Sequence, residues 1–287
     1  MINHVITPGE MYDEDIISPL LDRGLFKDVV LDKDGYSIAQ HSWIKTPAGE
    51  PSIEYRLNRH GFRSDHFKFP DPNAINILVA GDSLTFGEGV PAEYIWGNLL
   101  ANRIYGKTKR NVSVTNLGVM GGSGRLAVRN IFSYIRNYGK PDFIFLLIPS
   151  VTRNIIYNED LGAFTNFYSH VNKVTSRNKI IKRHTKFAIK EDSMLLTTDY
   201  IRMLDDLCNE LGIGLRWTSW EEMDYEQLSS LDFDSFVDYP HGYEPGENRL
   251  NLPYWHAALD GNHPGTAWNI NMARTFFDTI YPCCLKK

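Results

Sequence analysis

The sequence predicts an α/β fold in which helices cover both faces of a mostly parallel sheet. Short apolar runs of strand length alternate with segments of helical period along most of the chain. The most apolar run, Phe143–Ile148, carries an apolar residue at every position. Strands with this pattern are typical of parallel sheets that are buried on both faces.

Each element has its own local signal. A proline favours the start of the helix predicted at 91–104, and Gly139 ends the helix predicted at 126–138. The predicted strands are 36–39, 53–57, 75–80, 112–116, Phe143–Ile148 and 213–218. The predicted helices are 91–104, 126–138, 198–211 and Thr266–Ile280. Together these elements predict a doubly wound, flavodoxin-like, three-layer α/β/α domain.

The chain divides into an extension and a main domain. The segment Pro-Asp-Pro at 70–72 is typical of a boundary. We therefore expect residues 1–71 to form an N-terminal extension packed on a main domain at 72–287. Residues 217–255 are predicted to be an inserted region that is rich in acidic and aromatic side chains. It is interpreted either as a solvated surface or as a lid or specificity loop.

Composition excludes several classes of function. The net charge of −5 and the pI near 6.0 give no reason to expect nucleic acid, which usually calls for a clearly basic face. Only three cysteines are present, which argues against a disulfide framework. No signal peptide and no apolar run of about 20 residues is apparent, so a cytoplasmic location without a membrane span is expected. The histidines form no metal-binding pattern, so neither a metal nor a cofactor is expected. Oligomeric state is not predicted.

The first candidate motif follows the strand predicted at 75–80. It reads Gly-Asp-Ser-Leu-Thr-Phe-Gly and places Ser83 at the carboxyl end of a parallel strand, where ligands bind in open α/β sheets. The N–H of Ser83 can point into the same space and help to bind an oxyanion. The alternative is that Ser83 only caps a turn.

The second candidate motif precedes the last helix and reads Asp-Gly-Asn-His-Pro at 260–264. A serine hydroxyl needs a base to remove its proton, and histidine is such a base. The histidine in turn needs a carboxylate that fixes its tautomer. Asp260 lies three residues before His263 and can reach Nδ1 across the turn. The alternative is a helix cap beside an incidental surface histidine.

Together the two motifs resemble the SGNH hydrolases, also called the GDSL esterase and lipase family. The segment Asn-Leu-Gly-Val-Met-Gly at 116–121 is similar to the second block of that family. The segment 55–63 resembles the lead-in of many bacterial and phage members, which also fits a virus-borne context. The resemblance implies the SGNH hydrolase fold and a Ser83, His263 and Asp260 triad. It also implies an oxyanion hole made by the N–H groups of Ser83 and Gly121.

The third block departs from the family pattern. The family usually places Gly-x-Asn-Asp after the third strand, whereas this chain reads Pro-Ser-Val-Thr-Arg-Asn at 149–154. Asn154 is one candidate for the missing oxyanion donor, Arg153 is an alternative, and a third option is that no side chain serves. Loss of one such donor typically costs about 10²–10³ in rate.

The resemblance implies a serine esterase that forms an acyl-enzyme on Ser83. The preferred substrate is a small-molecule or glycan ester with a short acyl group, such as acetyl on a carbohydrate. Two alternatives stay open at this point. The chain is then either an O-acyltransferase that uses the same triad, or a binding or structural module that keeps the fold with weakened catalysis.

Overall fold

The computed structural model describes residues 4–5, 26–41, 53–158, 163–168, 190–239 and 244–281. Strands in this part of the chain are β1 (His4–Val5), β2 (Phe26–Leu31), β3 (Ser37–His41), β4 (Glu54–Leu57), β5 (Ala74–Gly81), β6 (Asn111–Gly118), β7 (Phe143–Ile148), β8 (Arg153–Asn158), β9 (Ala163–Tyr168) and β10 (Gly214–Ser219). Helices are α1 (Ser83–Phe86), α2 (Trp96–Thr108), α3 (Gly124–Tyr138), α4 (Lys190–Leu211), α5 (Glu222–Ser229) and α6 (Thr266–Ile280), with a 3-10 helix at Ala92–Tyr94.

The central sheet has the order β10-β7-β5-β6, and each neighbouring pair is parallel. Numbered along the chain from β5, this order is 2-1-3-4, which follows the flavodoxin-like pattern. Beyond β10, an isolated parallel bridge joins Trp217 to Phe236 at the place of a fifth strand. The predicted parallel sheet is therefore confirmed. The order reverses between β5 and β7, so the end of β5 lies at the switch point.

Helices cover both faces of this sheet. On one face, α2 and α6 pack against alternate residues of β5 and β7, and the ring centroids of Trp96 and Phe276 are 5.2 Å apart. On the other face, α3 and α4 pack against the remaining residues of the same strands. Every residue of β5 and β7 is buried as a result. The predicted three-layer α/β/α arrangement is confirmed.

The prediction of a helix at 91–104 is wrong about where the helix begins. The chain instead forms the short 3-10 helix, and Ile95 takes an extended conformation with φ −68° and ψ 135° before α2 begins at Trp96. The N–H of Trp96 donates to Asn269 Oδ1 at 3.0 Å. Because α6 supplies this acceptor, a contact distant in sequence sets the start of α2. The helix α4 also begins earlier than predicted, at Lys190.

Two antiparallel sheets accompany the central one. The order β2-β3-β4 includes both strands that were predicted near the N-terminus, and the order β1-β9-β8 was not predicted. The first sheet packs on the carboxyl end of the central sheet, where Tyr55 and Leu57 of β4 join a cluster with Phe86 and Met120. The division of the chain at residue 71 stays a prediction.

In the parts of the chain that the structure describes, no helix has both the length and the apolar character that a membrane crossing requires.

Candidate active site

Ser83 lies at the carboxyl end of β5, on the first residue of α1. The backbone turns tightly here because Gly81 has no side chain. A Cβ atom at that position would lie 2.7 Å from the carbonyl oxygen of Leu147 and 2.3 Å from Oγ1 of Thr85. The N–H of Ser83 is at a helix start, where the backbone provides no intrahelical acceptor. The Ser83 side chain is buried at the edge of the sheet.

The fold brings Ser83, His263 and Asp260 together. Nε2 of His263 lies 2.8 Å from Oγ of Ser83, and Nδ1 of His263 lies 2.5 Å from Oδ2 of Asp260. The other carboxylate oxygen of Asp260 accepts the backbone N–H of His263 at 3.1 Å. The three side chains thus form a continuous chain of hydrogen bonds. Such a chain can move a proton from the hydroxyl to the imidazole.

The surroundings of His263 raise its pKa and so favour the protonated imidazole. Burial lowers the pKa of His263, but the hydrogen bond to Asp260 and the charges of Glu88, Asp260 and Asp82 raise it by more, so the net pKa lies above 6.5. Burial raises the pKa of Asp260, and its hydrogen bonds to His263 lower it by more. Asp260 is therefore ionised when His263 takes up a proton.

Gly121 lies in the loop between β6 and α3, next to the loop that carries Ser83. The N–H of Gly122 donates to the carbonyl of Val119 at 2.8 Å, and Gly121 occupies the third position of this turn with φ 69°. Turns with positive φ at this position favour glycine. The N–H of Val119 donates to the carbonyl of Gly81 at 3.1 Å, which ties the two loops together. The assignment of Gly121 to an oxyanion hole stays a prediction.

Of the two candidates in the third block, Arg153 has a described side chain. Its Nη1 donates to Oδ2 of Asp82 at 2.6 Å, and its guanidinium lies 5.5 Å from the centre of the Trp220 ring. Asn154 contributes backbone pairing in β8, and its side chain lies outside the described residues. The oxyanion role of either residue stays a prediction.

Asp82 links this block to the nucleophile. Its Oδ1 accepts the N–H of Leu84 and caps α1, while its Oδ2 also accepts Nε1 of Trp220 at 3.2 Å. The side chain is fully buried. Burial raises the pKa of Asp82, and the guanidinium of Arg153 opposes that shift. This ion pair joins the turn after β5 to the first residue of β8.

Sequence reasoning missed Glu88. Its Oε2 lies 3.7 Å from Nε2 of His263, on the ring nitrogen that also faces Ser83, and its side chain is 11% exposed. No local spacing relates Glu88 to His263, and an acidic residue next to the first motif is the one signal that could have indicated it.

One group of side chains has the spacing of metal ligands among the described residues. Ligand atoms of Glu88, Asp260 and His263 all lie within 4.8 Å of one another. Both ring nitrogens of His263 already face hydrogen-bond partners, Asp260 on one side and Ser83 on the other. The arrangement therefore favours proton transfer over metal binding.

No protein-family model and no curated protein sequence matches the chain. Solved structures do match. A psychrotrophic esterase, EstA from Pseudoalteromonas sp., is 14% identical with a TM-score of 0.42, over 72% of this chain and 96% of that one. A member of the lipolytic protein G-D-S-L family from Veillonella parvula is 16% identical with a TM-score of 0.31, over 71% and 97% of the two chains.

An acetyl-xylooligosaccharide esterase from Geobacillus is also similar. It is 16% identical with a TM-score of 0.32, over 75% of this chain and 97% of that one. The structural neighbours are thus esterases and lipolytic proteins of the G-D-S-L family. Because the identities are this low, the activities in their names describe those proteins and not this chain.

Proposed function

We propose that this chain is a serine ester hydrolase of the SGNH type, with Ser83 as its nucleophile. The observation that carries the proposal is the hydrogen-bonded series from Ser83 through His263 to Asp260, with contacts of 2.8 Å and 2.5 Å. Ser83 and His263 are 180 residues apart in the chain, yet they meet at the carboxyl edge of the sheet. This is the geometry of an activated nucleophile.

The reaction uses these groups in order. Oγ of Ser83 attacks the ester carbonyl while Nε2 of His263 takes the hydroxyl proton. Asp260 holds the imidazole in the required tautomer and stabilises its charge. The N–H groups of Ser83 and Gly121 bind the oxyanion. His263 then gives its proton to the departing alcohol, and water, activated by the same histidine, releases the acid from the acyl-enzyme.

The substrate class in this proposal is a small-molecule or glycan ester with a short acyl group, such as acetyl on a carbohydrate. The sequence offers no extended apolar segment next to its motifs that would line a long acyl channel. A series of aryl esters with acyl chains of increasing length tests this class. The acetate should have the largest kcat/KM, and a maximum at long chains would contradict the short-acyl substrate.

The nucleophile is tested by intact-mass analysis after exposure to a fluorophosphonate. Wild-type protein should gain one adduct, and Ser83→Ala should gain none and lose ester hydrolysis. Ser123→Ala is the matched control, because Ser123 is a buried serine that caps α3. Hydrolysis that persists in Ser83→Ala would refute the mechanism. An unlabelled wild-type protein would favour a binding module instead, and acyl transfer to an added sugar would indicate a transferase.

A further inference from the structure

Glu88 is held next to the proposed base by the loop that follows α1. The guanidinium of Arg63 donates to the carbonyls of Gly87 and Val90 at 2.6 Å and 2.9 Å. Between them, the N–H of Gly89 donates to the hydroxyl of Tyr55 at 2.9 Å. These contacts fix the backbone on both sides of Glu88. The position of the Glu88 backbone is therefore built into the fold.

The carboxylate lies near the ring nitrogen of His263 that, in the proposed mechanism, gives its proton to the departing alcohol. Its Oε2 is 3.7 Å from Nε2, and Nε2 is the atom that must hydrogen-bond to the departing oxygen. A hydrogen bond places that oxygen about 3 Å from Nε2. The departing oxygen then lies within about 7 Å of Oε2, whatever the direction of approach. The charge of Glu88 consequently acts on the alcohol half of the ester.

Two other carboxylates near His263 have different positions. Asp260 faces Nδ1, on the opposite side of the ring from the departing oxygen. Asp82 is paired with the guanidinium of Arg153. Among the described carboxylates that act on His263, Glu88 is thus the one whose oxygen forms a close contact with Nε2.

We propose that Glu88 is a specificity-determining residue that selects esters by the charge of their alcohol, favouring cationic alcohols over neutral ones and disfavouring anionic alcohols. The proposal rests on the proposed esterase function. The direction follows from Coulomb's law. At a separation of about 8 Å, the interaction of two unit charges is equivalent to a factor of between about two-fold in water and about thirty-fold at an effective dielectric constant near 20.

The experiment compares two acetate esters of the same shape. Acetylcholine carries a quaternary nitrogen, and 3,3-dimethylbutyl acetate has a neutral carbon in its place. The measured quantity is the ratio of their kcat/KM values for each protein variant at low salt. For the wild-type chain, the ratio should exceed the ratio for Glu88→Gln by at least about two-fold. Glu88→Asp, which keeps the charge, should retain most of the preference.

Glu93→Gln is the matched control. Glu93 is exposed on the 3-10 helix five residues further along, and its substitution removes the same unit of charge from the chain. This variant should keep the wild-type ratio. For the wild-type chain alone, 2-acetoxyethanesulfonate, an ester of the same shape whose alcohol is anionic, should have a lower kcat/KM than 3,3-dimethylbutyl acetate. This measurement tests the proposal even if Glu88→Gln does not fold.

The outcomes separate the two proposals. Equal ratios for the wild-type chain and Glu88→Gln, together with fluorophosphonate labelling of both, would overturn the role of Glu88 and leave the esterase intact. A kcat/KM of the wild-type chain for 2-acetoxyethanesulfonate that equals or exceeds its value for 3,3-dimethylbutyl acetate would overturn it as well. Hydrolysis of either ester by Ser83→Ala would instead overturn the proposed function. A ratio that falls equally in Glu88→Gln and Glu93→Gln would show that net charge, and not the position of Glu88, determines the preference.

Discussion

Asp82 and Asp260 are both close to the proposed catalytic residues and are held in different ways. Asp82 precedes Ser83 in the chain, is fully buried, and bonds to Arg153, Trp220 and the start of α1. Asp260 comes from the far end of the chain, and its side chain is 10% exposed and bonds to His263. The two carboxylates thus differ in the kind of side chain with which each is paired. The partner of Asp82 is a fixed cation, and the partner of Asp260 is a base that changes charge.

Because of this difference, we expect one pair to affect mainly the rate of catalysis and the other to affect mainly the stability of the fold. A carboxylate paired with a permanent cation in the interior holds two loops in place, and removal of its cation leaves a buried charge uncompensated. A carboxylate that orients an imidazole contributes when the imidazole becomes charged. We therefore expect substitutions at Asp260 to reduce turnover and substitutions at Arg153 to reduce the free energy of unfolding.

The largest expected effect is on turnover in Asp260→Asn. The amide cannot stabilise the imidazolium of His263, and it favours the wrong tautomer, so kcat for ester hydrolysis should fall by about 10³–10⁴. Asp278→Asn is the control, since Asp278 is exposed on α6, and it should keep wild-type kcat. Steady-state kinetics of both variants provide the measurement. A loss of less than ten-fold in Asp260→Asn would contradict the role of Asp260.

The next effect is on stability in Arg153→Ala. Asp82 then remains buried without its cation, and the free energy of unfolding should fall by about 3–5 kcal/mol. Arg249→Ala removes an ion pair with Glu247 whose two side chains are 85% and 83% exposed. This control should change stability by less than about 1 kcal/mol. Urea titrations of the three proteins measure the difference, and equal midpoints would show that the buried pair does not stabilise the fold.

A smaller effect is expected for the hydrogen bonds that link the residue before Asp260 to β4. The N–H of Leu259 donates to the carbonyl of Gly89, whose own N–H donates to the hydroxyl of Tyr55 in β4. Tyr55→Phe removes that acceptor and leaves the N–H of Gly89 without it, which should cost about 1–3 kcal/mol in stability. The control is Tyr105→Phe, because Tyr105 is 51% exposed on α2. Matching thermal midpoints for the two variants would contradict this support.

Structural features that depend on a few neighbouring residues could be predicted from the sequence. The strand at Phe143–Ile148 is apolar throughout because both faces are covered, and Gly139 ends α3 with φ 98°, so both boundaries could be predicted. Asp260 and His263 are three residues apart, and their contact needs only one turn. The pairing of β1 with β9, in contrast, places His4 opposite Thr165, far away in the chain. Nothing in the sequence of either strand specifies its partner.

The same limit applies to the site. Ser83 could be predicted from its place after a strand, and its neighbour Asp82 belongs to the same motif. The contact of Asp82 with Arg153, and that of Glu88 with His263, form only when separate loops meet at the edge of the sheet. Nothing in the sequence near either acid indicates these contacts. Such pairs need the three-dimensional fold before their roles can be assigned.

The smallest expected effect is a displacement of the pH profile. His263 must be neutral to accept the proton of Ser83. Burial lowers its pKa, but Asp260, Glu88 and Asp82 raise it by more, so the acid limb of kcat/KM should have its midpoint above pH 6.5, with activity rising as the pH rises. Glu88→Gln removes one of the charges that raise this pKa and should move the midpoint to lower pH. The Glu93→Gln control should leave the midpoint in place. A profile of kcat/KM against pH for the three proteins gives the measurement, and a midpoint below pH 6.5 in the wild type would mean that burial outweighs the three carboxylates around His263.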